Sequence, residues 1–534
     1  MQVSRPYQIV ISALVLAAAV TALHLSNAST DDAFITFRYA GNLAAGNGLV
    51  FNPGERVEGY SNFLWANLLS LLMVCGLTGF AHGVLVWSKA LGLFFALLCF
   101  PLIYKAGRST ALEDAPALIG LVAPMLLLAS AQFIGWAVGG LETAMCAFLV
   151  LMAQHFSLRV VAGRDEERRP ILRPFCLASL FYLLASLTRP EIPILFAAAF
   201  LTTFVHQLRH GGIRAKELVL SAGTFTLPYV GFLTWRLLYY GDIFPNTFYA
   251  KATGGGEMQL WDGVKYWSFG LSTILGPFLL LCFLPLVLRS PKGSRREASR
   301  SRYWFLLWQL VAMSCFIIYS GGDWMGSYRL FIPILPALAL MAQSGADELW
   351  SRLSKVERGA ILKRRLATAM VVLAVALFGY HIADSMLVAK KPSGFTARDL
   401  LNQEYYQVAK MLRQWIRPGT AVALGEAGLI PYYSGLDVID CRGLTDRYIA
   451  RLEGKAHAKF EPMYIFHRKP DYVVLVDVTG STWSEHNYQN MLLDHQVLSD
   501  DYKPAGGSRL RDMFWKYRFL LMTRKGPQFG SRLD

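Results

Sequence analysis

"SNFLWANLLSLLMVCGLTGF", residues Ser61 to Phe80, is apolar enough to cross a membrane. Whether it crosses decides the side on which every later loop falls. A spanning helix needs roughly 20 apolar residues. Stretches of that kind recur at 82–104, 115–132, 142–158, 174–188, 190–207, 217–238, 268–289, 303–320, 328–345 and 366–388, after a first apolar run from Ile9 to Ala22. Positive charge gathers in the linkers Arg164–Arg173, Arg209–Lys216, Arg289–Arg302 and Arg352–Arg365. Short loops rich in Lys and Arg mark the cytoplasmic side. With Arg5 inside, the first span leads out and the second returns at Lys105 and Arg108. A crossing at 61–80 would place every later basic loop outside. Residues 61–80 are therefore read as an interfacial helix on the outer face. That leaves about eleven spans, with the N-terminus inside and the C-terminus outside.

Composition agrees with a polytopic α-helical membrane protein. Of 534 residues, 54% are hydrophobic and 17% charged, and mean hydropathy is +0.35, too apolar for a soluble chain of this length. Aromatic residues make up 13%, which suits interfacial belts. The net charge of +15 would fit a nucleic-acid binder, but its concentration in the short loops is the orientation signal and needs no polyanion, so no nucleic-acid partner is expected. Six of the seven cysteines lie in apolar stretches and only Cys441 in a polar region; this spacing excludes a disulfide framework or a CxxC metal pair. Arg5, the run Ile9–Ala22 and Ser26-Asn27-Ala28 fit either a cleaved signal peptide or an uncleaved first span. The span is favoured because many more follow.

From about Lys390 the pattern changes. "TAVALG" (420–425), "DVIDC" (437–441), "DYVVLVD" (471–477) and "YRFLLMTR" (517–524) read as strands, preceded by the helical stretch "ARDLLNQEYYQVAKMLRQWI". The expected domains are a membrane domain, 1–389, whose first outer loop is 27–81, and an outer α/β domain, 390–534. "GEAG" (425–428) follows a strand but is no dinucleotide fingerprint; it is read as a strand–turn in an acceptor-binding or scaffolding domain. No internal two-fold repeat is visible, which disfavours a secondary transporter.

On this topology the unusual polar residues collect on the outer side. They are Asp31, Asp32, Arg38, Glu58 and Asn62; Glu142 in "GGLET"; Arg189 and Glu191 in "LTRPEI"; Asp242, Asn246, Tyr249 and Lys251 in "YYGDIFPNTFYAKATG"; and Asp323, Trp324, Tyr328 and Arg329 in "GGDWMGSYR". Loops on one face of a rigid scaffold are where sites are built. Each also has a plainer reading. Asp31 or Asp32 can cap the helix that follows. Glu142 can cap the span behind it. Arg189 can snorkel at the interface or pair with Glu191. Asp242 can start a turn, and Asp323 can pair with Arg329. The tyrosines and Trp324 can be an aromatic belt.

A cleft with both signs of charge beside the outer leaflet suits an amphiphile with a phosphate head. Arg and Lys would hold the phosphate, a carboxylate would take the proton of an attacking hydroxyl, and aromatics would pack on apolar ring faces. That chemistry is glycosyl or phosphoryl transfer from a lipid phosphate.

"TDDAFITFRYAGNLAAGNGLVFNPGERVEGYSNFLW", "GLET", "LTRPE", "YYGDIFPNTFYAK" and "GGDWMGSYRLFIPILP" together resemble bacterial GT-C membrane glycosyltransferases. The likeness is to the terminal β-(1→2)-arabinofuranosyltransferases of mycobacteria and corynebacteria and to pilin arabinofuranosyltransferases. It runs from Asp31 to about Pro336 and continues weakly into "GEAGLIPYYSGLDVIDCRGLTD". The resemblance implies a GT-C fold in the bacterial inner membrane. It implies transfer of a sugar, D-arabinofuranose first, from a polyprenyl-phosphate donor to a periplasmic glycan or protein. It also implies a base among Asp31 and Asp32, with Arg329, Lys251 and Arg189 as candidates for the donor phosphate. No cofactor is expected to be required, although a divalent metal bridging Asp31 and Asp32 stays open. The other readings are a flippase for lipid-linked saccharides, which would need polar groups at mid-bilayer depth, and a non-catalytic envelope scaffold.

Overall fold

The computed structural model describes residues 5–24, 29–79, 82–110, 119–161, 171–210, 214–252, 256–288, 294–353 apart from 324, 404–454, 459–476, 495–505 and 519–525, with scattered helical positions between 365 and 379. The apolar runs become helices because a backbone in lipid must satisfy its own hydrogen bonds. Contacts divide the chain into two compact units. One comprises Met1–Ser29, Leu85–Phe232 and Glu257–Ala397; the other comprises Thr30–Val84, Leu233–Gly256 and Arg398–Asp534. This division crosses the sequence-based one, because residues 30–84 group with the C-terminal residues.

The first unit is helical. Among the described residues, seven helices are long and apolar enough to cross a membrane, and the bent pair Ile119–Ala129 and Ala131–Ala137 makes an eighth. The break between that pair turns the chain by 61°, and there the Ser130 hydroxyl accepts the Phe133 N–H at 3.3 Å. The expected count of about eleven is not reached on length. The first span is the 20-residue helix Arg5–His24, 174–188 appears as the shorter apolar helix Leu172–Ser186, and 366–388 lies largely outside the described residues. Thr143–Val161 and Arg329–Arg352 form the centre, with 78% and 94% of their apolar windows buried. Close approach there relies on small residues: a Cβ on Gly345 would lie 2.0 Å from the Leu281 carbonyl oxygen.

In the second unit, Phe63–Val74 is a 12-residue helix. At 1.5 Å per residue it is only about 18 Å long, well short of the hydrocarbon thickness. Leu71 and Val74 on it are exposed.

The sheet of this unit has β1 (Ala421–Leu424), β2 (Asp437–Asp440), β3 (Tyr472–Val476), β4 (Tyr502–Pro504) and β5 (Phe519–Arg524) in the order β2-β1-β3-β5-β4. β1 is parallel to β2 and β3, and β5 is antiparallel to β3 and β4. Alternate residues face opposite sides of a strand. Val422, Leu424, Val438 and Val474 therefore enter one core, while Ala423, Ile439, Val473 and Leu475 enter another. Both faces are covered, which explains the unbroken apolar runs. The first core also contains Ile35, Tyr39, Phe51 and Tyr60 from the segment after the N-terminal helix. Asn52 welds that loop to β2. Its side chain donates to the Val438 carbonyl at 2.9 Å and accepts the Val438 N–H at 3.1 Å.

Candidate functional site

Thr30, extended at φ −100°, is the N-cap of the helix Asp31–Ala44; Asp31 and Asp32 occupy its first turn, where the helix dipole favours negative charge. Capping of this helix by either aspartate is thus corrected to first-turn placement. Asp31 serves a different segment. Its Oδ1 accepts the Leu429 N–H at 2.8 Å, at the start of the helix Leu429–Ser434. Gly428 makes the approach possible, since a Cβ there would lie 2.2 Å from both the Asp31 carbonyl oxygen and its Oδ2. Burial pushes the Asp31 carboxyl up to about 7; the Leu429 bond opposes this, Asp32 and Glu426 add to it, and Arg442 opposes it.

The surroundings of Asp31 are built by the "GEAG" turn and the turn after β2. Buried Glu426 pairs with Arg442 at 3.4 Å. Asp440 fixes the second turn by accepting the Arg442 N–H at 2.8 Å and the Thr445 N–H at 2.7 Å. The result is a carboxyl group ionising near neutrality with a second carboxylate and a guanidinium close by. Such a group can take a proton from a hydroxyl. Sequence reasoning missed Glu426, Asp440 and Arg442, although all three lie in the stretch "GEAGLIPYYSGLDVIDCRGLTD" that carried the weaker part of the resemblance.

Several expected ligand-binding residues are structural ties instead. Arg38, buried, donates to the carbonyls of Phe51 (2.7 Å), Pro431 (2.7 Å) and Leu436 (2.6 Å) and to Asn52 Oδ1 (3.0 Å). Four of its five N–H groups are taken up by the fold. Glu58 pairs with Arg236 at 2.8 Å; burial lifts its carboxyl to about 7 against the pull of Arg236. Asn62 and Thr36 bond to each other. Asn246 donates to the carbonyls of Gly443, Leu444 and Asp446. Asp242 is held by Arg447 at 2.6 Å and Arg451 at 2.7 Å, and Tyr249 lies under the Arg451 guanidinium at 4.3 Å. Lys251 is half-buried in the last turn of Asn246–Ala252. No local pattern points to the partners Arg236, Arg447 and Arg451.

The other expected residues belong to the helical unit. Buried Arg189 is bound by two buried carboxylates, Glu191 through Nε and Glu142 at 3.0 Å. Arg329 pairs with Asp323 at 2.8 Å and lies 5.6 Å from the Trp136 ring centre, while Trp136 donates to the Ser327 carbonyl at 3.1 Å. Ser327 and Tyr328 are both left-handed, at φ 62° and 47°. Two consecutive non-glycine residues in that region are strained, and such strain persists where the surroundings enforce it. Trp324 lies outside the described residues. Among the described residues no group of three or more His, Cys, Asp or Glu is arranged for a metal ion.

Residues 397–519 match the family model "Domain of unknown function (DUF8728)". The chain is 31% identical over 287 residues to the terminal β-(1→2)-arabinofuranosyltransferase of Mycobacterium tuberculosis, so the resemblance read from the sequence is met by a relative. The match covers 52% of this chain and 42% of that protein; the chain spans less than half the length of the curated relative it matches. Among solved structures, ArnT from Cupriavidus metallidurans bound to undecaprenyl phosphate is similar over 98% of this chain and 100% of its own, with TM-score 0.56 and 13% identity. The oligosaccharyltransferase AglB from Archaeoglobus fulgidus, in complex with an inhibitory peptide and a dolichol-phosphate, is similar over 88% of this chain and 70% of its own, with TM-score 0.53 and 12% identity. The chain has the fold of the GT-C membrane glycosyltransferases.

Proposed function

We propose that this chain is a membrane glycosyltransferase that moves a sugar, D-arabinofuranose first, from a polyprenyl phosphate to a glycan or protein of the cell envelope. The orientation proposed is multi-pass in the bacterial inner membrane, with the N-terminus cytoplasmic and the C-terminal domain periplasmic. The observation that carries the reading is the Asp31 carboxyl, seated against Leu429 and lifted to about 7 beside Glu426 and Arg442. The named relative supports the reaction class, and the lipid phosphates bound to ArnT and AglB support the donor class.

In the proposed step the acceptor hydroxyl attacks the anomeric carbon. A bond from acceptor oxygen to sugar forms, and the bond from sugar to phosphate oxygen breaks. The proton passes to the Asp31 carboxylate and the polyprenyl phosphate leaves as the anion. Phosphate is a good leaving group, so one base with cationic stabilisation suffices. Asp32 remains the second candidate for the base.

Purified protein is offered synthetic polyprenyl-phosphate arabinofuranose beside the mannose and glucose analogues, with an arabinofuranosyl oligosaccharide as acceptor. Transfer from the arabinose donor supports the reading. Absence of both transfer and binding for all three donors overturns it. A flippase would instead move the lipid-linked sugar across a vesicle without transferring it, and a scaffold would keep its phenotype in the double variant Asp31→Asn, Asp32→Asn.

A further inference from the structure

Beyond the Asp31 surroundings, the second unit carries a cleft of about 540 Å³ that none of the preceding chemistry uses. Its polar lining is paired in an unusual way. Arg447 and Arg451 both clasp Asp242, and Arg468 bridges Glu55 and Asp446. Arg56, also in the lining, lies 4.8 Å from the Tyr239 ring centre. One side of the cleft is aromatic. Tyr448 and Tyr464 stack at 4.2 Å with 21° between their planes, Tyr448 remains 45% exposed, and its hydroxyl donates to Glu461 at 2.6 Å.

We infer that this cleft binds a neutral oligosaccharide, the arm of the acceptor glycan; the inference rests on the glycosyl-transfer reading. Three of the four arginines, Arg447, Arg451 and Arg468, are already paired with Asp242, Glu55 and Asp446, so an anion would have to compete with carboxylates in place. A sugar does not face that competition. Its hydroxyls accept from guanidinium N–H groups and donate to the neighbouring carboxylate oxygens. Its apolar C–H face packs on the exposed tyrosine ring, and aromatic groups supply large contact area at small entropy cost. The turn after β2 links the surroundings of the candidate base to the lining of the cleft through the backbone. Asp440 holds Arg442 at one end of that turn and Thr445 at the other, and Thr445 with Asp446 lines the cleft.

The test uses the full chain in lipid nanodiscs, titrated with arabinofuranosyl, galactofuranosyl and mannosyl oligosaccharides, with pyrophosphate as competitor and polyprenyl phosphate as a separate ligand. Wild type binds at least one oligosaccharide, Tyr448→Ala weakens that binding by about tenfold, and Tyr448→Phe keeps it, because the face and not the hydroxyl does the packing. Polyprenyl-phosphate binding is the same in all three. The inference is overturned if wild type binds none of the oligosaccharides, if Tyr448→Ala binds as well as wild type, or if pyrophosphate displaces the sugar. Loss of transfer with oligosaccharide binding intact counts against the reaction and leaves the cleft standing.

Discussion

Asp31 accepts the backbone N–H of Leu429 at 2.8 Å, from 398 positions away in the sequence. The bond ties the first turn after the N-terminal span to the turn after β1. It also explains why residues 30–84 share a unit with the sheet: a carboxylate proposed for chemistry is held by the backbone of the C-terminal part. A site assembled in this way fails if either segment shifts.

Asp31 holds its proton to higher pH in the folded chain than in the unfolded one, about 7 against the ordinary carboxylate value of 3.8. Its contribution therefore favours the fold below about pH 4 and is lost as pH rises through 7. Asn mimics the protonated form and can still accept the Leu429 N–H. Asp31→Asn is expected to melt with wild type at pH 4 and above it at pH 8, by on the order of 1 kcal/mol for a half-buried group. Transfer by wild type rises with pH through about 7, and the variant loses about a hundredfold or more. Melting curves at both pH values and a pH–rate profile check this; a variant that keeps wild-type transfer removes Asp31 from the role of base.

Gly428 has no room for a side chain. Gly428→Ala is expected to destabilise the chain by about 1–3 kcal/mol and to depress transfer more than stability alone explains, because the carboxyl must move. Asp31→Gly does not restore the melting temperature of Gly428→Ala, since the Asp31 backbone oxygen is as close as the carboxylate. Thermal melts of both single variants and the double variant measure the outcome.

Arg38 is a strut that ties Phe51, Asn52, Pro431 and Leu436 together. Lys cannot reproduce a fork serving three carbonyls and Asn52, so Arg38→Lys is expected to cost about 2–4 kcal/mol. Donor affinity in the protein that stays folded should be unchanged. Weakened polyprenyl-phosphate binding at full stability would return Arg38 to the ligand set.

The comparison of sequence and structure divides along one physical line. Periodicity and apolar length are local properties, and they were legible: the strand readings at 420–425, 437–441, 471–477 and 517–524 each overlap an observed strand, and 61–80 holds a short helix. β4 was not legible, because three residues ending in Pro504 carry no alternation. Among site residues, the types and positions near Asp31, Arg189 and Arg329 stood out by charge at span ends. Their partners did not. Whether an arginine faces a ligand or three carbonyls depends on segments hundreds of residues apart, as Arg38 with Pro431 shows, and no local pattern encodes that. The pairing of Arg189 with Glu191 was legible at two residues' separation, whereas the addition of Glu142, 47 residues away, was not.

Metal dependence turns on the donor set around Asp31. One of its oxygens already accepts an N–H, and Arg442 stands close enough to lower its proton affinity. A divalent cation prefers several free oxygens and is repelled by a guanidinium. Transfer is therefore expected to survive dialysis against EDTA within about twofold, a small change on the scale of a removed Lewis acid. Activity abolished by EDTA and restored by added Mg²⁺ or Mn²⁺ would establish a metal bridged by Asp31 and Asp32.

Arg189 neutralises two buried carboxylates, Glu142 and Glu191, in the helical unit. Removing the cation strands both, and an uncompensated buried charge costs about 3–5 kcal/mol. Arg189→Ala should therefore express poorly or melt early whatever its part in transfer. Replacing both acids as well, in Arg189→Ala with Glu142→Gln and Glu191→Gln, removes the stranded charge and should recover most of the stability. That triple variant separates the two roles open to Arg189. If stability returns and donor affinity stays low, the guanidinium also meets the donor phosphate. If stability and transfer return together, the cluster is a structural ion network, and the phosphate contact must be sought at Arg329, where Asp323 is the paired acid and Ser327 and Tyr328 hold the strained turn.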